Sequence, residues 1–161
     1  MKLISLVLIT VLPGWFNSAS CASQEREANE IDAYIARQAR RERGEEYKDA
    51  RTVLVGSLAN ADSPETVVLY TIESQRGTNN YVQYLAVFVR RNGKLAPLTR
   101  AVVGGKSRRS VEHLSVDHKT IQLETLDYGP NDASCCPSIR GRTQYILVGR
   151  TLRERKNPTN R

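Results

Sequence analysis

The chain is poor in the residues from which catalytic and metal sites are most often built: its 161 residues include 3 cysteines, 2 histidines, 1 tryptophan and 1 methionine. The histidines, His113 and His118, have no cysteine near them in the sequence, so the ligand spacing of a zinc site is missing. No Gly-x-Ser-x-Gly occurs, so no nucleophile elbow is signalled. Gly104-Gly105-Lys106-Ser107 has the ending of a phosphate loop but lacks the upstream glycine, and no helical pattern follows it; a turn is the better reading. Aromatic residues make up 6% of the chain, too few for a stacking surface that holds single-stranded nucleic acid. Mean hydropathy of −0.46 excludes a helical membrane bundle. No cofactor is signalled.

What the chain does have is positive charge, 24 Lys+Arg against 17 Asp+Glu, a net +7. Residues 1–22 read as an export signal: Lys2, an apolar run over 3–12, the break Pro13-Gly14, then small uncharged residues. The run is too short to span a bilayer, which takes about 20 residues. Cutting after Ala22 gives a freely secreted or periplasmic chain; cutting before Cys21 exposes it for lipidation and gives a membrane-anchored lipoprotein; an uncleaved apolar helix is the third alternative. Ser18, where lipoprotein sites usually carry leucine, favours simple secretion. Removal of 1–22 leaves 23 Lys+Arg against 17 Asp+Glu, so the mature chain stays at +6. Most of these cations are arginine, whose planar fork suits bidentate contact with carboxylates and phosphates. For an exported chain this basicity predicts an acidic protein surface or an anionic envelope component as partner, not nucleic acid, and a membrane only if Cys21 is lipidated.

Apart from Cys21, the cysteines are the adjacent pair Cys135-Cys136. An oxidising compartment favours their pairing, and neighbours close a tight ring that stiffens a loop. Locking a turn, contacting a ligand, redox exchange and pairing with Cys21 all remain open from sequence.

Periodicity divides the rest. Within 23–50, Ala28, Ile31, Ile35 and Ala39 recur at helical steps with acids early and arginines late, which predicts a surface helix, with Gly44 as a stop. From 51 to 154 the pattern is β: predicted strands cover 52–58, 66–73, 81–91, 95–103, 110–116, 120–126 and 143–152. Asn92-Gly93 and Asp117-His118-Lys119 mark two hairpins. The run from Tyr81 is apolar at nearly every position, as a central strand covered on both faces would be. The expected fold is α+β and mainly β: an antiparallel sheet of about six to seven strands behind an N-terminal surface helix, with residues 155–161 as a disordered tail.

Tyr70-Thr71, Tyr84-Leu85-Ala86-Val87-Phe88, Val103-Gly104-Gly105-Lys106, Tyr128-Gly129-Pro130-Asn131-Asp132 and above all Cys135-Cys136-Pro137-Ser138 resemble a set of poorly characterised exported bacterial proteins and lipoproteins. The resemblance spans roughly 51–154 and implies a small extracytoplasmic β-rich domain, with no catalytic residues to carry over. Such proteins often have an Asp-x-Asn-x-Asp-Gly-like loop suited to calcium; here only Asn60, Asp62 and Glu65 remain and the glycine is absent, so an ordinary polar loop is expected.

The strongest binding feature is the basic cluster Arg100, Lys106, Arg108 and Arg109, which suits an anionic partner unless Arg109 is anchored internally by Asp127 or Asp132. The sequence therefore predicts an exported, non-enzymatic binding domain of inhibitor or immunity type. A thiol/disulfide-active or ligand-binding protein using Cys135 and Cys136, and a structural envelope lipoprotein anchored through Cys21, are the alternatives.

Overall fold

The computed structural model describes residues 18–59, 63–74 and 80–155. Helix α1 (Ser18–Glu42) is followed by strands β1 (Gly44–Glu46), β2 (Thr52–Gly56), β3 (Glu65–Ser74), β4 (Tyr81–Arg91), β5 (Lys94–Gly105), β6 (Arg109–Asp117), β7 (Thr120–Asp127), β8 (Ile139–Val148) and β9 (Thr151–Arg155). Among the described residues these 9 strands form one antiparallel sheet, ordered β1-β3-β4-β5-β6-β7-β8-β9 with β2 also paired to β3. The mainly-β class and the helix are as expected, but the sheet is larger than the six to seven strands predicted. The run 143–152 is two strands, not one, because Gly149 takes φ 60 and turns the chain between Val148 and Thr151. The second addition is β1, which pairs with Ile72–Ser74 at the edge.

The sheet is folded over on itself. Between β5 and β6 a single residue pair, Gly105 with Arg109, forms the ladder. Beyond that corner β9 comes back against β5 and β2 against β6. Leu58, Val67, Leu69, Leu85, Val87 and Val103 thus pack against Val111, Leu114, Ile121, Leu123, Tyr145 and Leu152 in an inner core between two sheet layers. The alternate residues of β3 and β4 (Val68, Tyr70, Ile72, Tyr84, Ala86 and Phe88) face the opposite way and bury Ile31, Tyr34, Ile35 and Ala39 of α1. With a period of two, a strand buried on both faces must be largely apolar; β4 is so from Tyr84 to Phe88, with Gln83 the buried polar exception, and it lies between β3 and β5 with both faces covered, as predicted.

The helix extends beyond its predicted limits at its start and stops short of them at its end. It begins at Ser18, so Cys21 and Ala22, placed by the sequence in an export signal, are helical, and residues 1–17 lie outside the described residues. It ends at Glu42, where Arg43 adopts φ 54 and makes the left-handed turn expected of Gly44. Gly44 instead begins β1, packed so closely on β3 that a β-carbon would collide with the Glu73 carbonyl oxygen. Arg51 ties this corner together, with Nε and Nη2 on the Glu46 carboxylate at 2.6 and 2.5 Å and Nη1 on Asp32 at 2.5 Å. At the other terminus β9 includes Arg155, so the ordered chain reaches into the predicted tail; residues 156–161 lie outside the described residues. No helix of the described residues is long and apolar enough to cross a membrane.

Candidate functional site

The strand order places the connections at two opposite ends of the sheet, with the connection between Gly56 and Glu65 at the same end as the tight hairpins. At one end lie tight hairpins: Asn92-Gly93 with φ 50 and 74, His118-Lys119 with φ 42 and 67, and Gly149-Arg150. At the other end the pairs Glu73 with Tyr81, Val82 with Gly105, Arg109 with Asp127 and Asp127 with Ile139 bring together the ends of β3 and β4, the 106–108 turn and the long 128–138 loop. Binding residues are disproportionately carried on loops held by a rigid scaffold, and here the 106–108 turn and the 128–138 loop share one end.

Within that end, the cysteine loop and the basic turn are tied by one side chain. The Tyr128 hydroxyl donates to the Ser134 carbonyl at 2.8 Å and accepts the Ser107 N–H at 3.2 Å. Ser107 is held with φ 61, and the Lys106 N–H donates to the Tyr81 carbonyl at 3.2 Å. Gly105, at φ 141, passes so near β4 that a β-carbon would lie 2.7 Å from the Tyr81 carbonyl oxygen. The glycines of Gly104-Gly105-Lys106-Ser107 therefore serve backbone packing, and the segment is a turn, as expected.

The 128–138 loop is braced by Asp132. Its carboxylate accepts the Gly129 N–H at 2.7 Å, the Ser138 N–H at 2.9 Å and the Ser138 hydroxyl at 2.9 Å. The hydrogen bond from Gly129, then those from Ser138, hold the Asp132 carboxyl below its ordinary 3.8. Because the folded value is depressed, the brace is fully present above pH 3.8 and is lost as pH falls through the lower folded value. The Gly129 and Ser138 amide resonances are therefore expected to titrate together below that point, and Asp132→Asn is expected to abolish the transition. Cys135 and Cys136 are disulfide-bonded with a Cα–Cα distance of 3.8 Å, both exposed at the tip.

The four cations of the predicted cluster divide into two pairs. Arg100 lies on the helix side of the sheet, 4.9 Å above the Tyr84 ring, and donates to Glu42 at 3.2 Å. Tyr84 stacks on Tyr70 with centroids 5.2 Å apart and donates its hydroxyl to the same Glu42 at 2.6 Å. Arg109 donates to Glu154 at 2.9 Å, not to Asp127 or Asp132. Glu154 also accepts the Thr143 and Tyr145 hydroxyls, each at 2.9 Å. Burial works to raise the Glu154 carboxyl, but the hydrogen bonds from Arg109, Tyr145 and Thr143 outweigh it and lower it. Arg100 and Arg109 thus have internal partners. Lys106 and Arg108 enter no ion pair among the described residues and remain on the turn beside the cysteine loop.

Next to that turn the inner core opens into a cleft of about 420 Å³ lined by Tyr47, Thr71, Glu73, Tyr81, Gln83 and Glu112, among others. It arises because the inward face of β3 changes from Val67 and Leu69 to Thr71 and Glu73, and that of β4 from Val87 and Leu85 to Gln83 and Tyr81. The Gln83 amide forms its floor: Oε1 accepts the Val111 N–H at 2.7 Å and Nε2 donates to the Val111 carbonyl at 3.0 Å, replacing ladder bonds missing at the corner. Burial pushes the Tyr81 phenol up.

The histidines are apart from this end or unengaged: His118 pairs with Asp117 in a hairpin, and His113 is exposed on β6. Of the calcium-type loop, Asn60 and Asp62 lie outside the described residues, and Glu65 is buried with its carboxylate accepting the Leu58 N–H at 2.8 Å. Among the described residues no three His, Cys, Asp or Glu side chains converge as metal ligands do. The chain matches no protein-family profile, no curated protein and no solved structure.

Proposed function

We propose that this is an exported, non-enzymatic binding protein whose loop end covers an acidic protein surface or another anionic envelope component, in the manner of an inhibitor or immunity protein. The observation that carries this reading is the Tyr128 tie, which joins Lys106 and Arg108, cations that enter no ion pair among the described residues, to the disulfide-closed loop beside the cleft. Stiff loops lose little conformational entropy on docking, and cations without internal partners can pair with an acidic surface. Export rests on the leader and on the Cys-Cys-Pro-Ser resemblance.

The exposure of Cys135 and Cys136 at the loop tip favours one second reading, a thiol/disulfide-active protein. The double substitution Cys135→Ser/Cys136→Ser separates the two. As a binding protein, the wild type shows no thiol–disulfide exchange above the uncatalysed rate, and the serine variant keeps its fold and still captures the partner, more weakly because its loop is no longer stiffened. Catalysed exchange that disappears in the variant would replace the binding reading with the redox one. The intact mass of the mature chain tests the lipoprotein alternative, since a lipid on Cys21 adds a defined increment.

A further inference from the structure

Helix α1 is sorted by charge. Glu27 pairs with Arg90 at 2.5 Å, the Glu30 carboxylate accepts the Leu95 N–H at 2.6 Å, Asp32 pairs with Arg51 at 2.5 Å and Glu42 binds Tyr84 and Arg100. The acids from Glu27 onward are therefore committed to the sheet. At 3.6 residues per turn, Arg26, Arg37 and Arg40 fall opposite the buried Ile35, with Arg41 beside them. All four are exposed, and none enters an ion pair among the described residues. An ordinary solvated helix face interleaves charges of both signs at i, i+4 spacing. On this one Arg37, Arg40 and Arg41 cluster near the C-terminal end, and Arg26, with the exposed Glu25 beside it, lies about 16 Å away at about 1.5 Å per residue.

We infer that this arginine face lies on the anionic headgroup layer of a bilayer, and that it does so without requiring a lipid on Cys21. Two features favour a lipid layer over a protein or nucleic acid. Between the arginines the helix presents the small exposed residues Asn29, Ala33 and Ala36, and the exposed large apolar side chains of the described residues all lie elsewhere. A protein interface needs an apolar centre to exclude water, whereas an array of cations on a flat face is sufficient for a fluid anionic surface. In addition, the helix continues directly from the leader whose apolar run covers 3–12, so it is the element nearest a membrane during export and after any lipidation. Arginine forks take phosphate oxygens bidentately.

The test is partition of the processed, purified protein onto vesicles of phosphatidylcholine alone or mixed with phosphatidylglycerol, at low and high salt. The wild type is expected to bind the mixed vesicles and not the neutral ones, and to be released by salt. The triple substitution Arg37→Gln/Arg40→Gln/Arg41→Gln, whose fold is checked by circular dichroism, is expected to lower the partition coefficient on the order of a hundredfold, about fivefold per cation. A charge-matched control at the other surface, Lys119→Gln/Arg150→Gln/Arg153→Gln, is expected to retain binding. Equal binding to neutral vesicles, an unaffected helix variant, or equal loss in the control would overturn the inference. So would a helix face that holds a short DNA duplex or an acidic protein but ignores the vesicles.

Discussion

Phe88→Ala is expected to destabilise the fold by about 4 kcal/mol in urea titration, a large part of the total for a domain of this size. Phe88 is 1% exposed at the middle of β4, on the face that receives the helix, with the Tyr34 ring edge-on at 5.1 Å. Its loss removes the apolar contact of an aromatic ring and leaves a cavity that the neighbours Tyr34, Tyr70 and Ala86 cannot fill, because both layers are fixed by β pairing and helix ion pairs. The damage has a direction. On the other face of the same strand, Leu85 belongs to the inner core, so the helix amides of α1 are expected to lose hydrogen-exchange protection in Phe88→Ala well before the β6–β8 amides do. An exposed control such as Val53→Ala, at a position 44% exposed, should stay within about 0.5 kcal/mol. A Phe88→Ala cost under about 1 kcal/mol, or uniform loss of protection, would show that α1 is not held by this face.

Glu154→Ala is expected to cost about 2 kcal/mol, through the partners it leaves behind. The Arg109 guanidinium, with its side chain 15% exposed, and the Tyr145 and Thr143 hydroxyls all lose their acceptor. Burial, and then the adjacent Glu154 carboxylate, push the Tyr145 phenol up to about 12, so it remains a donor at neutral pH. Glu154→Gln keeps an acceptor oxygen but loses the ion pair and should fall between wild type and alanine. A pH series isolates the charge. The Glu154 carboxyl is depressed below its ordinary 4.5, so its contribution is fully present above pH 4.5 and is lost as pH falls through the lower folded value. The glutamine variant should lack that component of acid destabilisation. If it destabilises with the same slope as wild type, Glu154 is not the linked group.

Much of the fold was legible because some segments state their environment locally. Residues 81–91 carry apolar side chains on both phases of the strand period, and β4 occupies those residues between β3 and β5, covered on both faces. Asn92-Gly93 and His118-Lys119 tolerate the positive φ values that two-residue hairpins require. Other elements depend on distant partners. β1 is three residues, two of them charged, and exists because Ile72–Ser74 offers an edge and Arg51 holds Glu46. The β8–β9 turn was hidden because Ile146, Leu147 and Val148 before it and Thr151 and Leu152 after it all favour a strand, with only Gly149-Arg150 between them.

The site divided in the same way. Adjacency made the Cys135-Cys136 pair visible, and composition made the cations visible. Nothing local marks which arginine has an internal acid: Glu42 is 58 residues from Arg100, and Glu154 is 45 residues from Arg109. Tyr128 went unassigned for the same reason, since its role depends on Ser107, 21 residues away across a sheet corner. The change of the inward face from Leu69 to Thr71 and from Leu85 to Gln83 was a readable signal for the cleft, once those positions are known to point inward.

Recognition is proposed at the loop end and not at the hairpin end. Quantitative capture from a native envelope extract, with three forms of the protein as bait, tests that division most directly. The forms are the wild type, Lys106→Glu/Arg108→Glu at the loop end, and Lys119→Glu/Arg150→Glu with the same charge change at the opposite end. The account predicts one species enriched on the wild type and on the hairpin-end variant and lost from the loop-end variant. Enrichment that survives reversal of Lys106 and Arg108, or that falls equally in both variants, would contradict it.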